Sequence, residues 1–119
     1  MVELRTEEPG NVLVCESSGL LTGEDFEVVM AEIGRLAKHE ASVRLLVVLN
    51  SRMVWDVDGV ASFLKILKAE PGAVTKMALV GDEATAILVG QMVAAYRDYP
   101  IIPFPETQFD KALHWLRQD

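Results

Sequence analysis

The chain holds a single cysteine, Cys15, so no internal disulfide can staple it. Cys15 lies in an alternating strand pattern, where a buried, inert thiol is the expected state. Basic residues are scarce as well: 11 Lys and Arg stand against 18 Asp and Glu, a formal charge of −7. Nucleic acid requires a dense basic face and anionic membranes ask for the same, so both are disfavoured as partners. No window approaches the roughly 18 apolar residues of a spanning helix, and Met-Val-Glu-Leu-Arg at the start has no apolar signal segment. A cytoplasmic protein is expected. Neither GxGxxG nor P-loop glycine spacing is present, and no Ser, Cys or His falls in a nucleophile motif. His39 and His114 have no partner that the sequence can name. The expectation is a protein that is not an enzyme and uses no cofactor.

What is present points to a fold. Half of the 119 residues are hydrophobic and 24% are charged, as in one ordinary globular domain spanning 1–119. Arg44-Leu45-Leu46-Val47-Val48-Leu49-Asn50 has five consecutive apolar residues with no two-residue alternation, so both faces of the segment must be covered. That is the pattern of a central parallel strand. Lys76-Met77-Ala78-Leu79-Val80-Gly81-Asp82 repeats it after a spacer of about 25 residues, which suits a β-α-β unit with its crossover.

Around this pair the remaining elements fall in order. Val2–Thr6 and Asn11–Ser17 alternate about Glu8-Pro9-Gly10-Asn11, a hairpin with a type II or related turn at the sheet margin. Gly19–Thr22 turns the chain, and Thr22 with Asp25 resembles a capping box opening a helix with Phe26, Val29, Met30, Ile33 and Leu36 on one face. Residues 51–57 read as irregular, and Asp58 is placed as N-cap of a second helix with Val60, Phe63, Leu64 and Leu67 buried. Pro71-Gly72 stops that helix. Asp82 caps a third, whose body from Ala84 to Tyr96 carries no charge. Ile101-Ile102 reads as a short edge strand between Pro100 and Pro103, and Thr107 with Asp110 as a second capping box for a last helix bearing Phe109, Ala112, Leu113 and Leu116. The order β-β-α-β-α-β-α-β-α with right-handed crossovers predicts an α/β fold, a five-stranded mixed sheet packed with four helices.

That order, together with Gly19-Leu20-Leu21-Thr22-Gly23-Glu24-Asp25-Phe26, Arg44-Leu45-Leu46-Val47-Val48-Leu49, Ala78-Leu79-Val80-Gly81-Asp82 and Phe109-Asp110-Lys111-Ala112-Leu113-His114-Trp115-Leu116, resembles the SpoIIAA-like family over essentially the whole chain. Those small bacterial proteins are related to STAS domains, the anti-sigma-factor antagonists, and more distantly to CRAL-TRIO lipid-binding domains. The resemblance implies a single STAS-like domain whose relatives bind partner proteins or carry lipids. In STAS antagonists an Asp-Ser-Ser-Gly pattern after the central strand carries a regulatory phosphoserine. The corresponding stretch here is Asp56-Val57-Asp58-Gly59, so Asp58 stands at the serine position and a phosphoserine switch is not available there.

Ligands of open α/β sheets gather beyond the carboxyl ends of the parallel strands, where the loops 50–58, 81–83 and 103–106 would meet. The first reading places a protein-partner surface on Asn50, Arg52, Met53, Trp55, Asp56 and Asp58, with Arg52 to hold a carboxylate or phosphate and Met53 and Trp55 as an apolar wall. The alternative is a loop folded down on the core with Trp55 as its anchor. A hard cation would need Asp56, Asp58, Asp82 and Glu83 to converge, whereas two of these are explained as caps, so no metal is expected. The runner-up function is a carrier of a small apolar or lipid-like ligand between helices and sheet, which could be lined by Met30, Met53, Met77 and Met92, although such methionines are more often core filler. The charge-free helix needs cover on more than one side. If Ala84, Leu88, Met92 and Tyr96 face another copy, the chain is a homodimer; otherwise Trp115 and the last helix bury it.

Overall fold

The apolar run at 45–49 occupies the place its pattern demands, in the middle strand of a five-stranded sheet. The computed structural model describes residues 1–8, 12–39, 42–50, 54, 55, 59, 61–63, 65, 74–97 and 99–118. Its strands are β1 (Val2–Glu7), β2 (Val12–Ser17), β3 (Leu20–Leu21), β4 (Val43–Leu49), β5 (Val54–Trp55), β6 (Val74–Gly81) and β7 (Ile101–Pro105). The main sheet runs β1-β2-β4-β6-β7, with β1 antiparallel to β2 and the other pairs parallel. Leu45 lies opposite Met77 and Val47 opposite Leu79, so the two apolar runs are parallel neighbours.

Both faces of the sheet are covered. Helix α1 (Gly23–Ala37), the helical residues 59, 61–63 and 65 of α2, and α3 (Glu83–Ala94) share a core with Leu13, Cys15, Leu45, Leu49, Met77 and Leu79. Helix α4 (Phe109–Arg117) packs on the other face, against Val12, Val14, Leu46, Ala78 and Val80. The period of two along each strand sorts successive residues between these two cores, which is why neither β4 nor β6 alternates in polarity. A register shift after Val43 brings Val74 onto the same face as Met77.

Several caps follow the sequence. Thr22 and Asp25 form a reciprocal capping box on α1: the Thr22 N–H donates to Asp25 Oδ2 at 2.8 Å, and the Asp25 N–H to Thr22 Oγ1 at 3.4 Å. Asp82 accepts the Thr85 N–H at the start of α3. The expected second box at Thr107 and Asp110 does not form. Gln108 is the N-cap of α4 and makes no side-chain cap bond, because a turn closed by Gln108 N–H onto the Pro105 carbonyl at 2.9 Å draws Thr107 out of the cap position. The edge strand is also longer than Ile101-Ile102. It runs through Pro103 to Pro105, and the prolines two residues apart turn their missing N–H groups away from β6, where an edge strand needs no donor. The segments read as a turn at 19–22 and an irregular stretch at 51–57 contribute a small parallel ribbon, with Leu20 opposite Val54 and Leu21 opposite Trp55. Pro9, Gly10 and Asn11 of the hairpin turn, Val60, Leu64 and Leu67 of the second helix, and Pro71-Gly72 lie outside the described residues.

Candidate functional site

A cavity of about 80 Å³ lies between α1, α2, α3 and the sheet. Phe26, Val29 and Ile33 of α1 form one wall, Phe63 of α2 and Val89 of α3 close the ends, and Leu45, Val47 and Leu79 make the floor. Phe63 meets Phe26 with ring centroids 5.6 Å apart. Of the four methionines expected to line a carrier cavity, Met77 is on the wall, Met30 and Met92 are not, and Met53 lies outside the described residues. The helix positions at the wall come from one amphipathic face of α1, so the same periodicity that folds the helix supplies the lining.

Besides the Met77 thioether, Cys15, Ser17 and Tyr99 on the wall bring chemistry other than hydrocarbon. Leu13, Cys15 and Ser17 of β2 share one strand parity, and the first two belong to the core beneath α1. Cys15 is free and buried, and burial pushes its thiol up to about 12, with the charge of Glu32 acting in the same sense. At neutral pH it is therefore a neutral thiol with no nucleophilic character. Ser17, only 7% exposed, is the next residue on that face and lies opposite Leu49. Sequence reasoning gave Ser17 no role; the signal available was a polar residue at the inward parity of a strand that continues Leu13 and Cys15.

A second recess lies beyond the carboxyl ends of the strands, on the α4 side, and encloses about 470 Å³. Asn50, Gly81 and Glu106 all border it, so the described parts of the three predicted loops do meet there. Its charged residues are mainly acidic, Glu3, Glu16 and Glu106 against Arg5, and Ser17 and Ser18 also border it. Arg5, which also borders it, is held by ion pairs to Glu7 and Glu16 and lies 5.5 Å from the Phe109 ring centroid. An anionic ligand meets little welcome in such surroundings. Asn50 is exposed at the end of β4, and the Trp55 backbone pairs with Leu21. Arg52, Met53, Asp56 and Asp58 lie outside the described residues.

A sequence model of the SpoIIAA-like proteins matches residues 12–117, nearly the entire length. The chain belongs to the SpoIIAA-like family. Among solved structures, this SpoIIAA-like chain is similar to an uncharacterised protein of the DUF3478 family with a SpoIIAA-like fold from Shewanella loihica PV-4. The TM-score is 0.75 at 16% identity, with 98% of this chain and 92% of the other covered. No curated protein matches the sequence.

The third candidate surface of this SpoIIAA-like domain is α3. The alternative in which Trp115 and the last helix bury it does not hold, because α4 is on the opposite face of the sheet, where Trp115 contacts Phe104. Among the described residues α3 packs mainly on β6 and β7: Ala86, Val89 and Val93 are buried, and Ala84, Ile87, Leu88 and Tyr96 are exposed, Leu88 by 59%. Met92 is half-buried. Two basic residues that the sequence showed only as strand flanks also find a role. Arg44 Nη1 donates to the Leu116 carbonyl at 2.6 Å and Lys76 Nζ to Trp115 and Gln118 carbonyls at 3.0 and 2.6 Å, satisfying the C-terminal end of α4. Among the described residues, no helix is long and apolar enough to cross a membrane.

Proposed function

We propose that this SpoIIAA-like chain is a binding domain rather than an enzyme, and that it carries a small apolar molecule in the cavity between α1, α2, α3 and the sheet. The observation that carries this reading is the cavity itself, with its almost wholly hydrocarbon wall. Apolar cavities stay dry, and their lining atoms regain lost dispersion contacts when a ligand of matching shape enters. At about 80 Å³ the space exceeds the roughly 10–15 Å³ that one water needs and falls short of the roughly 150 Å³ of an engineered cavity that takes up benzene. A ligand smaller than a benzene ring, such as a short aliphatic chain, suits it better than a long acyl chain. Solvent extraction of the purified protein followed by mass spectrometry is expected to release a neutral small molecule in near-stoichiometric amount; repeated empty extracts would retire the carrier.

A protein-binding role is the second reading, and two exposed apolar surfaces favour it. Leu20 and Val54, paired across the β3–β5 ribbon, are 52% and 59% exposed at the end of the sheet where Asn50 lies. That ribbon, with Asn50, is the contact surface for an unrelated protein; of the other residues assigned to this surface from the sequence, Trp55 is in the ribbon, and Arg52, Met53, Asp56 and Asp58 lie outside the described residues. The outer side of α3, with Ala84, Leu88, Met92 and Tyr96, is the surface for a second copy of the chain, since a charge-free face escapes the mutual repulsion of two chains of net charge −7. Sedimentation equilibrium is expected to give twice 13.1 kDa for the wild type and 13.1 kDa for Leu88→Glu. A wild-type mass of one chain at high concentration would remove the dimer.

A further inference from the structure

We infer that the open edge of β1 binds an extended, basic segment of another protein, which joins the sheet as a sixth, antiparallel strand. The hydrogen-bond register shows which backbone groups point outward. The Met1 ammonium donates to the Ser18 carbonyl at 2.7 Å and the Ser18 N–H to the Met1 carbonyl at 2.9 Å, so these two residues form a hydrogen-bonded pair at the end of the β1–β2 ladder. Such pairs alternate along an antiparallel ladder: Glu3, Arg5 and Glu7 bond to β2, whereas Val2, Leu4 and Thr6 turn their N–H and C=O groups away from it. Among the described residues, no strand lies beyond β1. The other edge is built differently. The Met77 N–H donates to the Pro100 carbonyl at 3.0 Å, which puts Ile102 and Phe104 in the β6 ladder and Ile101, Pro103 and Pro105 on the outer side. The two prolines have no N–H to offer, so β7 is closed to a further strand and β1 is the edge that accepts one. Because β1 and β7 end the sheet on opposite sides and α3 packs on β6 and β7, the β1 edge is open whether or not α3 meets a second copy.

Charge selects the occupant. The side chains of Glu3, Arg5 and Glu7 share one face, with Glu16 opposite Glu3 on β2. Arg5 pairs with Glu7 at 3.0 Å and with Glu16, so three carboxylates stand against one guanidinium, and Glu3 has no ion pair among the described residues. A second copy would set this excess of negative charge against itself on chains of net charge −7, and a Glu3–Arg5 contact between copies would compete with both existing pairs. A segment with Lys or Arg opposite Glu3 and Glu7 meets them at the non-hydrogen-bonded positions, where side chains across an antiparallel pair lie closest. On the other face Leu4 packs on the core beneath α1, so apolar residues opposite Val2 and Leu4 extend that cover.

The probe is the peptide Lys-Val-Thr-Val-Lys-Val, capped at both ends and added to the whole chain, with its lysines opposite Glu7 and Glu3. Amide hydrogen exchange reads the pairing directly. Val2, Leu4 and Thr6 should exchange fast in the free protein and slow down with peptide, whereas Glu3, Arg5 and Glu7 should be protected in both. Methylating the peptide amide of the valine opposite Leu4 should weaken binding about tenfold or more, and methylating the threonine amide, which faces away from β1, should leave Kd within about twofold. Glu3→Lys should weaken this peptide about fivefold and strengthen Glu-Val-Thr-Val-Glu-Val by a similar factor. Thr6→Pro, at an exposed position, removes one outward N–H and should weaken binding as well. The methylated peptides act on the native chain, so they decide the matter even if Thr6→Pro does not fold. Absence of binding at millimolar peptide, equal binding of the acidic peptide, or indifference to both methylations overturns the inference. Self-association that Thr6→Pro abolishes and Leu88→Glu does not would overturn it too, by making a second copy the occupant of the edge.

Discussion

Filling the cavity should stabilise the protein, and the sign of the effect decides whether the space is real. Val29 on α1 and Val47 on β4 both border it and are half-buried. Val29→Leu and Val47→Ile each add one methylene, and Leu is also a better helix former than Val. A void of about 80 Å³ corresponds to about 2 kcal/mol of lost packing at roughly 24 cal/mol per Å³. Two methylenes at about 0.8 kcal/mol each give a gain of about 1.6 kcal/mol, the same scale reached independently. With an unfolding entropy near 2.1 cal/mol/K per residue over 119 residues, each kcal/mol moves Tm by about 4 °C, so the double variant should melt roughly 6 °C higher. Thermal unfolding followed by circular dichroism measures this, and xenon titration of the same variant should show weakened uptake. In a space already packed, the same two methylenes would overpack it and lower stability by about 1–3 kcal/mol. A lower melting temperature for the double variant would therefore refute the cavity and the carrier function built on it.

Two further outcomes are expected. A Cβ at Gly81 would stand 2.3 Å from the Leu49 carbonyl oxygen, so Gly81→Ala should force β4 and β6 apart at their carboxyl ends and cost about 3 kcal/mol in urea unfolding, whereas Gly34→Ala, in open space on α1, should gain about 1 kcal/mol; equal stabilities for the two would contradict the close approach. The Asp25 carboxyl sits below its ordinary value: burial acts to raise it, and the hydrogen bonds from Thr22 together with the amino terminus at 3.5 Å outweigh that. Because the folded value lies below the unfolded one near 3.9, the contribution is complete above pH of about 4 and is lost as pH falls through the folded value. Thr22→Ala should cost about 1 kcal/mol at pH 7, and that cost should shrink in acid; a pH-independent cost would show that the carboxyl takes no part in the cap.

Much of the fold could be read before any coordinates, and the reason is local. Leu45 to Leu49 carry no alternation because both sheet faces are covered, and that requirement is visible in the residues themselves. The Thr22–Asp25 box and the Asp82 cap involve partners three residues apart, within reach of any local reading. Thr107 and Asp110 show the same spacing and fail, because the turn from Pro105 to Gln108 moves the helix start by one residue. The β3–β5 ribbon escaped notice because two-residue strands carry no period to detect.

The sequence by itself determined the order of the main-sheet strands and helices, the parallel neighbours at the centre and the charge-free character of the third helix, since each is encoded in residues a few positions apart. Only the tertiary structure decided which face each helix covers, and so that α4 leaves the outer side of α3 exposed. It also decided that α1, α2 and α3 leave a space above the sheet and that Ser17 borders it. Voids and unsatisfied groups are properties of how distant segments meet, and the pattern within any one segment leaves them open.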